Sequence, residues 1–183
     1  MHFSVFLIKT LVVFQESAWT ISNITAGNHT QIQLVIDAGC LQPLIDILVK
    51  GDFKAQKEAA WAVTNLTSGG TVQQIVHLCG EVNIGHMNTT RSYQKPFLQG
   101  VLKPFCDLLA AKDDKTVGVV LDGVANILAT AEKLGETDKV AMMVEECGGL
   151  DRVEALQSHE NEQIYQKALQ IIETFFPDGE QVN

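Results

Sequence analysis

Two stretches of the sequence carry side chains with the types and spacing needed to bind another chain. In each stretch a tryptophan is followed four residues later by an asparagine, as Trp19 with Asn23 and as Trp61 with Asn65. Residues four apart on an α-helix project from the same face. The two pairs stand 42 residues apart, so the sequence predicts two matching helices that each present an indole beside an amide.

These residue types suit the binding of an extended, basic peptide. An Asn amide both donates and accepts hydrogen bonds, so it can hold a peptide backbone whatever the peptide's sequence. A Lys stem can lie in a slot between indole planes with its ammonium near a ring, which contributes ~0.5–2 kcal/mol per site. A glutamate precedes each tryptophan by three residues and can meet that positive charge. The predicted peptide-binding residues are Glu16, Trp19, Asn23, Glu58, Trp61 and Asn65.

The alternative is that both tryptophans are ordinary core residues. Other apolar residues, such as Ile21 and Val63, already provide each helix with a face for packing. Asn has a poor propensity for helix interiors, so its repeated placement one turn after Trp needs another reason. These points favour a groove lined by Trp and Asn over a buried role.

The sequence carries no pattern typical of catalysis or metal binding. It contains no G-x-S-x-G, no Walker loop and no H-E-x-x-H. Its cysteines, at positions 40, 79, 106 and 147, form no C-x-x-C, and no His stands near them at zinc-ligand spacing. We therefore expect a protein that is not an enzyme, needs no cofactor or metal, and keeps its cysteines reduced inside the cell.

Length and charge narrow the class of protein further. The chain has 183 residues, of which 46% are hydrophobic, which suffices for one buried core. Apolar residues recur at helical spacing and only 4 residues are Pro, which indicates an all-α fold. The net charge is −9 and the pI is about 4.9. Such a field disfavours nucleic acid and anionic membrane as partners and favours basic peptides or proteins.

The 42-residue step is typical of helical solenoids of the armadillo or HEAT type. The first full repeat is predicted as a short helix at 31–38, a second helix at 41–49 and a long helix at 53–67. A leading helix at 15–26 precedes it, and we expect Gly27 to end that helix in the left-handed conformation. The predicted architecture is a right-handed superhelical armadillo solenoid with about three repeats plus one leading helix.

The plan recurs later in the chain with one interruption. Residues 102–109 (LKPFCDLL) match residues 41–48 (LQPLIDIL) at an offset of 61. At the same offset from the second Trp/Asn pair, Asp122 stands where a Trp would, while Asn126 remains. Residues 81–98 are rich in turn-forming residues and show no clear period, so they are predicted to form an inserted surface loop.

The predicted array spans 15–176, and three further expectations concern its ends. The apolar stretch 1–14 breaks the repeat pattern, lacks the features of a signal peptide and is shorter than a membrane span. The last helix, about 161–176, is expected to have a polar side that can face water, made of Gln163, Lys167, Gln170 and Glu173. Residues 177–183 are expected to be a disordered tail.

Several long, ordered stretches resemble one family. QESAWTISNITAGN, DFKAQKEAAWAVTNLTSGGT and EECGGLDRVEALQSHENEQIYQKAL are similar to the C-terminal armadillo repeats of importin-α (karyopherin-α). The resemblance covers about 15–79 and 99–176. It implies a nuclear import adaptor of the cytoplasm and nucleus that binds nuclear-localisation-signal peptides of cargo proteins. It also implies that the six predicted residues belong to the family's minor signal-binding site.

The resemblance implies further partners as well. In the family, the last repeats contact the export receptor and a nucleoporin, which makes 138–176 a candidate second surface. The family's basic importin-β-binding segment and its earlier repeats are expected to be missing here. Two functions stay open: a signal-binding import adaptor fragment, and an armadillo scaffold that binds protein partners through its C-terminal repeats without binding signal peptides.

Overall fold

The computed structural model describes residues 2–79 and 97–177, and all regular structure in these two ranges is helical. The helices are α1 (His2–Thr25), α2 (His29–Asp37), α3 (Leu41–Lys50), α4 (Phe53–Gly69), α5 (Val72–Cys79), α6 (Phe97–Asp107), α7 (Asp114–Leu134), α8 (Thr137–Glu146), α9 (Gly149–Ala155) and α10 (Glu162–Phe175). Short 3-10 turns follow α6 and α9 at Leu108–Ala110 and Leu156–Ser158. The prediction of an all-α fold is confirmed.

The chain divides into two compact units, Met1–Val101 and Leu102–Asn183. In the first unit, α4 is the central element: α1 and α3 pack on it, and α2 packs against α5. The buried face of α4 consists of small or β-branched residues together with one leucine, namely Ala55, Ala59, Ala60, Ala62, Val63, Thr64, Leu66 and Thr67. Small side chains allow neighbouring helices to approach closely, so α4 can contact several helices at once.

Local capping explains most helix ends in the first unit. Asp52 caps α4, because its carboxylate accepts a hydrogen bond from the Ala55 amide at 2.9 Å. Gly39, with φ +68°, ends α2 in the left-handed conformation. Gly51 ends α3. The predicted repeat of short helix, second helix and long helix is therefore confirmed, with bounds that differ by one or two residues.

The expectation for Gly27 is wrong. Gly27 is not among the glycines with positive φ. Instead, Asn28 and Gln31 form a capping box that starts α2, in which each side chain bonds the other's backbone amide. A Cβ on Gly27 would come within 2.2 Å of Gln31 Oε1, so Gly27 provides space for this box rather than an unusual backbone angle.

The first helix runs without a break from His2 to Thr25, so it includes residues 2–14 of the apolar stretch and nearly all of the predicted leading helix at 15–26. Its buried residues Ala18, Ser22 and Thr25 recur at helical spacing on one face. α1 packs on α4 more extensively than any other pair of helices in the described ranges.

Residues 80–96 and 178–183 lie outside the described residues, and most of the predicted loop and tail fall there. At positions 97 and 98, which the sequence assigned to the loop, the chain is already helical in α6. Pro104 therefore lies inside a helix, whereas its counterpart Pro43 lies in the first turn of α3.

In the second unit, α7 packs against α10 and α8, and α10 also contacts α9. Asp113 caps α7 by accepting a hydrogen bond from the Thr116 amide, and Gly135, with φ +70°, ends it. The buried residues of α10 are Ile164, Ala168 and Ile171. One face of α7 is therefore covered by α10.

No single helix in the described ranges is both long and apolar enough to cross a membrane. The pair α2 and α3, which is bent by 78°, meets that criterion by length and composition only when its two helices are taken together.

Candidate functional site

Three of the predicted residues follow one half-buried stripe along α4. Glu58, Trp61 and Asn65 are each partly exposed, whereas the positions between them, such as Ala59 and Ala62, are fully buried. Their spacing of three and four residues keeps them on one side of the helix. The packing of α4 thus turns its small residues inward and leaves this polar and aromatic stripe accessible.

The other three predicted residues lie on the exposed side of α1. Glu16 and Asn23 are exposed, and Trp19 shows 53% of its surface to solvent. Large aromatic side chains normally bury most of their area, so an indole this exposed is unusual in a core role. Trp19 and Trp61 both lie outside the buried core.

Two contacts set the register between α1 and α4. Asn65 Nδ2 donates a hydrogen bond to the backbone carbonyl of Ser22 at 3.0 Å. One turn further along α4, a Cβ on Gly69 would lie 3.7 Å from the Gly27 carbonyl oxygen. Because the contacts advance in the same direction on both helices, α1 and α4 run parallel, and one turn earlier Trp61 comes level with Ala18 and Trp19.

This register brings the two Glu–Trp–Asn sets side by side. Ala18 is fully buried and allows the helices to approach closely. The packing offset between Ser22 and Asn65 is 43 residues, nearly the same as the sequence repeat. Matching residues of the two sets therefore occupy matching heights on adjacent helices of the first unit.

The two asparagine amides are held by α1. Asn23 Nδ2 donates to the Trp19 carbonyl one turn before it, at 2.9 Å, and Asn65 donates to α1 as described above. Within the described residues, neither Asn Oδ1 atom accepts a hydrogen bond. Each amide is thus fixed through one N–H while its oxygen and second N–H remain able to pair with a peptide backbone.

Sequence reasoning missed Ser22, which supports this arrangement. Ser22 is 6% exposed, its hydroxyl donates to the Trp19 carbonyl at 2.8 Å, and its own carbonyl accepts from Asn65. It therefore connects the first tryptophan to the second asparagine. The only sequence signal was a small polar residue next to Asn23, at helical spacing from Ala18 and Thr25.

The second unit carries a counterpart with different chemistry. Asp122 stands on α7 where the repeat would place a Trp, and Lys167 of α10 pairs with it at 2.7 Å. Lys167 also donates to the Gly118 carbonyl at 3.4 Å. Asp122, Lys167 and Asn126 are among the residues that line a cavity of about 210 Å³. Lys167 keeps 37% of its side chain exposed, in line with the expectation that it can face water, and it also pairs with Asp122 of α7.

The described ranges contain no candidate metal site. No group of three or more His, Cys, Asp or Glu side chains there is arranged to hold a metal ion.

Comparison with known proteins identifies armadillo repeats in both units. Residues 28–68 match the armadillo/beta-catenin-like repeat model, and residues 138–183 match the atypical Arm repeat model. Importin subunit alpha-4 of Arabidopsis thaliana is 42% identical over 177 residues, covering 91% of this chain and 29% of that protein. Importin subunit alpha-1a of Oryza sativa subsp. japonica is 43% identical over 175 residues, with the same two coverages.

The chain is an armadillo-repeat homologue of importin subunit alpha. It spans less than a third of the length of these full-length relatives. Importin subunit alpha-3 of Caenorhabditis elegans is 49% identical over 82 residues, which cover 45% of this chain and 16% of that protein. The two repeat models match one segment in each unit, 28–68 in the first and 138–183 in the second.

Solved structures show the same fold. A computationally designed armadillo repeat protein for modular peptide recognition has a TM-score of 0.68 and 28% identity, with 89% of this chain and 58% of that chain covered. A designed armadillo repeat protein in complex with the peptide (KR)4 has a TM-score of 0.52 and 25% identity, with 92% and 80% covered.

Proposed function

We propose that the chain binds extended, basic peptides of the nuclear-localisation-signal type on the surface shared by α1 and α4, as part of a nuclear import adaptor. The observation that carries the proposal is the pairing of two Glu–Trp–Asn sets at one height on parallel helices, with Trp19 53% exposed. The (KR)4 complex of a designed armadillo protein supports the same ligand chemistry.

Each residue has a defined role in the proposed complex. The peptide backbone pairs with the open amide positions of Asn23 and Asn65. Lys or Arg stems of the peptide lie against the indoles of Trp19 and Trp61, which contribute ~0.5–2 kcal/mol each. The Glu16 and Glu58 carboxylates lie one turn before the indoles and attract the cationic ends. The chain acts by binding, without a catalytic step, and works in both cytoplasm and nucleus.

The test is a titration of a fluorescein-labelled (KR)4 peptide, followed by anisotropy. A peptide of equal length with Ser and Gln in place of Lys and Arg is the ligand control. We expect binding of the basic peptide alone, weakened by added salt because the contacts are charged. Equal affinity for both peptides would contradict the proposal.

A charge variant separates the site from the overall acidity of the chain. Glu16→Gln with Glu58→Gln removes two charges at the proposed site and preserves side-chain shape. Glu145→Gln with Glu146→Gln removes two exposed charges from α8 in the second unit and is the matched control. Both variants reduce the net negative charge equally, so we expect the Glu16 and Glu58 pair to weaken binding more than the control pair does. If both pairs act equally, the attraction is nonspecific and the site is wrong.

A second candidate function is an armadillo scaffold that binds an export receptor or a nucleoporin through 138–176. The observation that favours it is Met142, which is 58% exposed on α8, since Met is common in protein-binding surfaces. A pull-down of the export receptor by the wild-type chain and by Met142→Glu tests this function. Capture that is lost with Met142→Glu but kept with Trp61→Ala would support the scaffold.

A further inference from the structure

Two thiols in the second unit lie next to one short backbone segment, Cys147–Gly149. Cys106 is fully buried on α6, and Cys147 is the half-buried residue that ends α8. The pKa of each thiol responds to the other as a hydrogen-bonding neighbour, and Cys147 Sγ lies 3.2 Å from the Val144 carbonyl oxygen. Both cysteines are free thiols. Neither takes part in the peptide-binding surface proposed for the first unit.

The backbone around the two thiols is clamped by independent contacts. A Cβ on Gly149 would come within 2.9 Å of Cys106 Sγ, so the chain just after Cys147 lies directly on the Cys106 sulfur. Arg152 bonds the Asp107 carboxylate at 2.6 Å and the Gly148 carbonyl at 2.8 Å. Asp107 and Gly148 are the next residues after the two cysteines, so Arg152 ties together the segments that carry them.

The two thiols are chemically unequal. The hydrogen bond from Cys106 and the nearby charges of Arg152 and Lys103 lower the pKa of Cys147 to about 7. The same hydrogen bond, together with burial, raises the pKa of Cys106. A partly exposed thiol with a lowered pKa is the better nucleophile toward an oxidant, and a neighbouring thiol can then resolve the product.

We propose that Cys106 and Cys147 form a reversible disulfide when the chain meets a peroxide. The Cys147 thiolate attacks one oxygen of hydrogen peroxide, the O–O bond breaks, and hydroxide leaves to give a sulfenic acid at Cys147. The Cys106 sulfur then attacks the Cys147 sulfur, the S–OH bond breaks, and the Cys106 proton leaves with the hydroxyl as water. In sum, two thiols lose two hydrogens and one peroxide becomes two waters.

The experiment maps disulfides in the intact chain after treatment with hydrogen peroxide and alkylation of the remaining thiols. Trypsin cleaves after Lys112, Lys139 and Arg152, so Cys106 and Cys147 fall in different peptides. We expect a single cross-linked species that joins the peptide ending at Lys112 to residues 140–152 and that separates on reduction. Irreversible sulfonic acid at Cys147, cross-links to Cys40 or Cys79, or no reaction would each overturn the proposal.

Two variants make the assignment specific. The variant Cys40→Ser with Cys79→Ser keeps only Cys106 and Cys147. Peroxide should then remove both free thiols without joining two chains, because the disulfide forms within one chain. In Cys106→Ser, the resolving thiol is missing, so a dimedone probe should label Cys147 several-fold more than in the wild type. Far-UV circular dichroism confirms that each variant is folded. Equal dimedone labelling with and without Cys106 would show that Cys106 does not resolve the sulfenic acid, which contradicts the proposal.

Discussion

The face of α4 in the first unit and the matching face of α7 in the second unit follow the same helical plan but meet different partners. On α4, Trp61 and Asn65 stay partly accessible beside the exposed Trp19 of α1. On α7, Asp122 and Asn126 occupy the corresponding positions, and Lys167 of α10 pairs with Asp122 at 2.7 Å. The second unit thus pairs a cation of its own with this face, whereas the first unit leaves its two indoles accessible.

The difference shows that an armadillo repeat can keep its helix packing while one position on its long helix changes from an indole to a carboxylate. Parallel packing of neighbouring long helices persists in both units: Asn65 bonds Ser22 in the first, and in the second Asn161 bonds Asp114 while Lys167 bonds Asp122. Replacement of an indole by a carboxylate removes the stacking face and creates a charge that an internal lysine neutralises. Three predictions test this contrast, from the largest expected effect to the smallest.

Replacement of both tryptophans should have the largest effect. Trp19→Ala with Trp61→Ala should weaken binding of a (KR)4 peptide by about 1–4 kcal/mol if each ring contributes ~0.5–2 kcal/mol, which is roughly fivefold to several hundredfold. Peptide anisotropy measures the affinity without using tryptophan fluorescence. Asp122→Asn is the control from the second unit and should leave the affinity nearly unchanged. A loss of equal size with Asp122→Asn would erase the proposed contrast.

The two asparagines should differ in stability. Asn65→Ala removes a half-buried hydrogen bond between α4 and α1, so we expect the free energy of unfolding to fall by about 0.5–1.5 kcal/mol. Asn23→Ala removes an exposed bond within its own helix and should change it by less than about 0.5 kcal/mol. Urea denaturation measures both. Equal losses would show that the bond to Ser22 does not couple the two helices.

The Asp122–Lys167 pair should contribute least. Its side chains are 48% and 37% exposed, so solvent screens the attraction and we expect Lys167→Met to cost about 0.2–1 kcal/mol of unfolding free energy. The cost should shrink in high salt. In a double-mutant cycle with Asp122→Asn, the second substitution should add little to the first. Fully additive losses would mean that the pair does not interact in solution.

Much of the helical plan follows from neighbouring residues. Asp52 and Asp113 begin helices, and Gly39 and Gly51 end them, because each acts on backbone groups within one turn. The same local reasoning failed at Gly27. There the side chain of Gln31 folds back in a capping box and occupies the space that a Cβ on Gly27 would need. A glycine alone does not distinguish a need for positive φ from a need for space.

The residue types of the candidate site could be predicted from the sequence, but the contacts between its two helices could not. The four-residue spacing placed each Trp and Asn on one helix face, and the 42-residue repeat related the two sets. The sequence could not show that one N–H of Asn65 bonds the Ser22 carbonyl, because that bond joins residues 43 positions apart. Whether each of the six residues binds peptide stays a prediction for the experiments above.

The sequence by itself determined which side chains share a helix face and where several helices begin, as at Asp52 and Asp113, since both depend on contacts within a few residues. The tertiary structure alone decided which faces meet: Trp19 remains exposed, Lys167 pairs with Asp122, and Cys106 lies against the backbone that follows Cys147. The physical reason is that a helix can pack along any of several stripes. The stripe that is buried depends on the neighbouring helices, whose residues lie 40 or more positions away in these pairs.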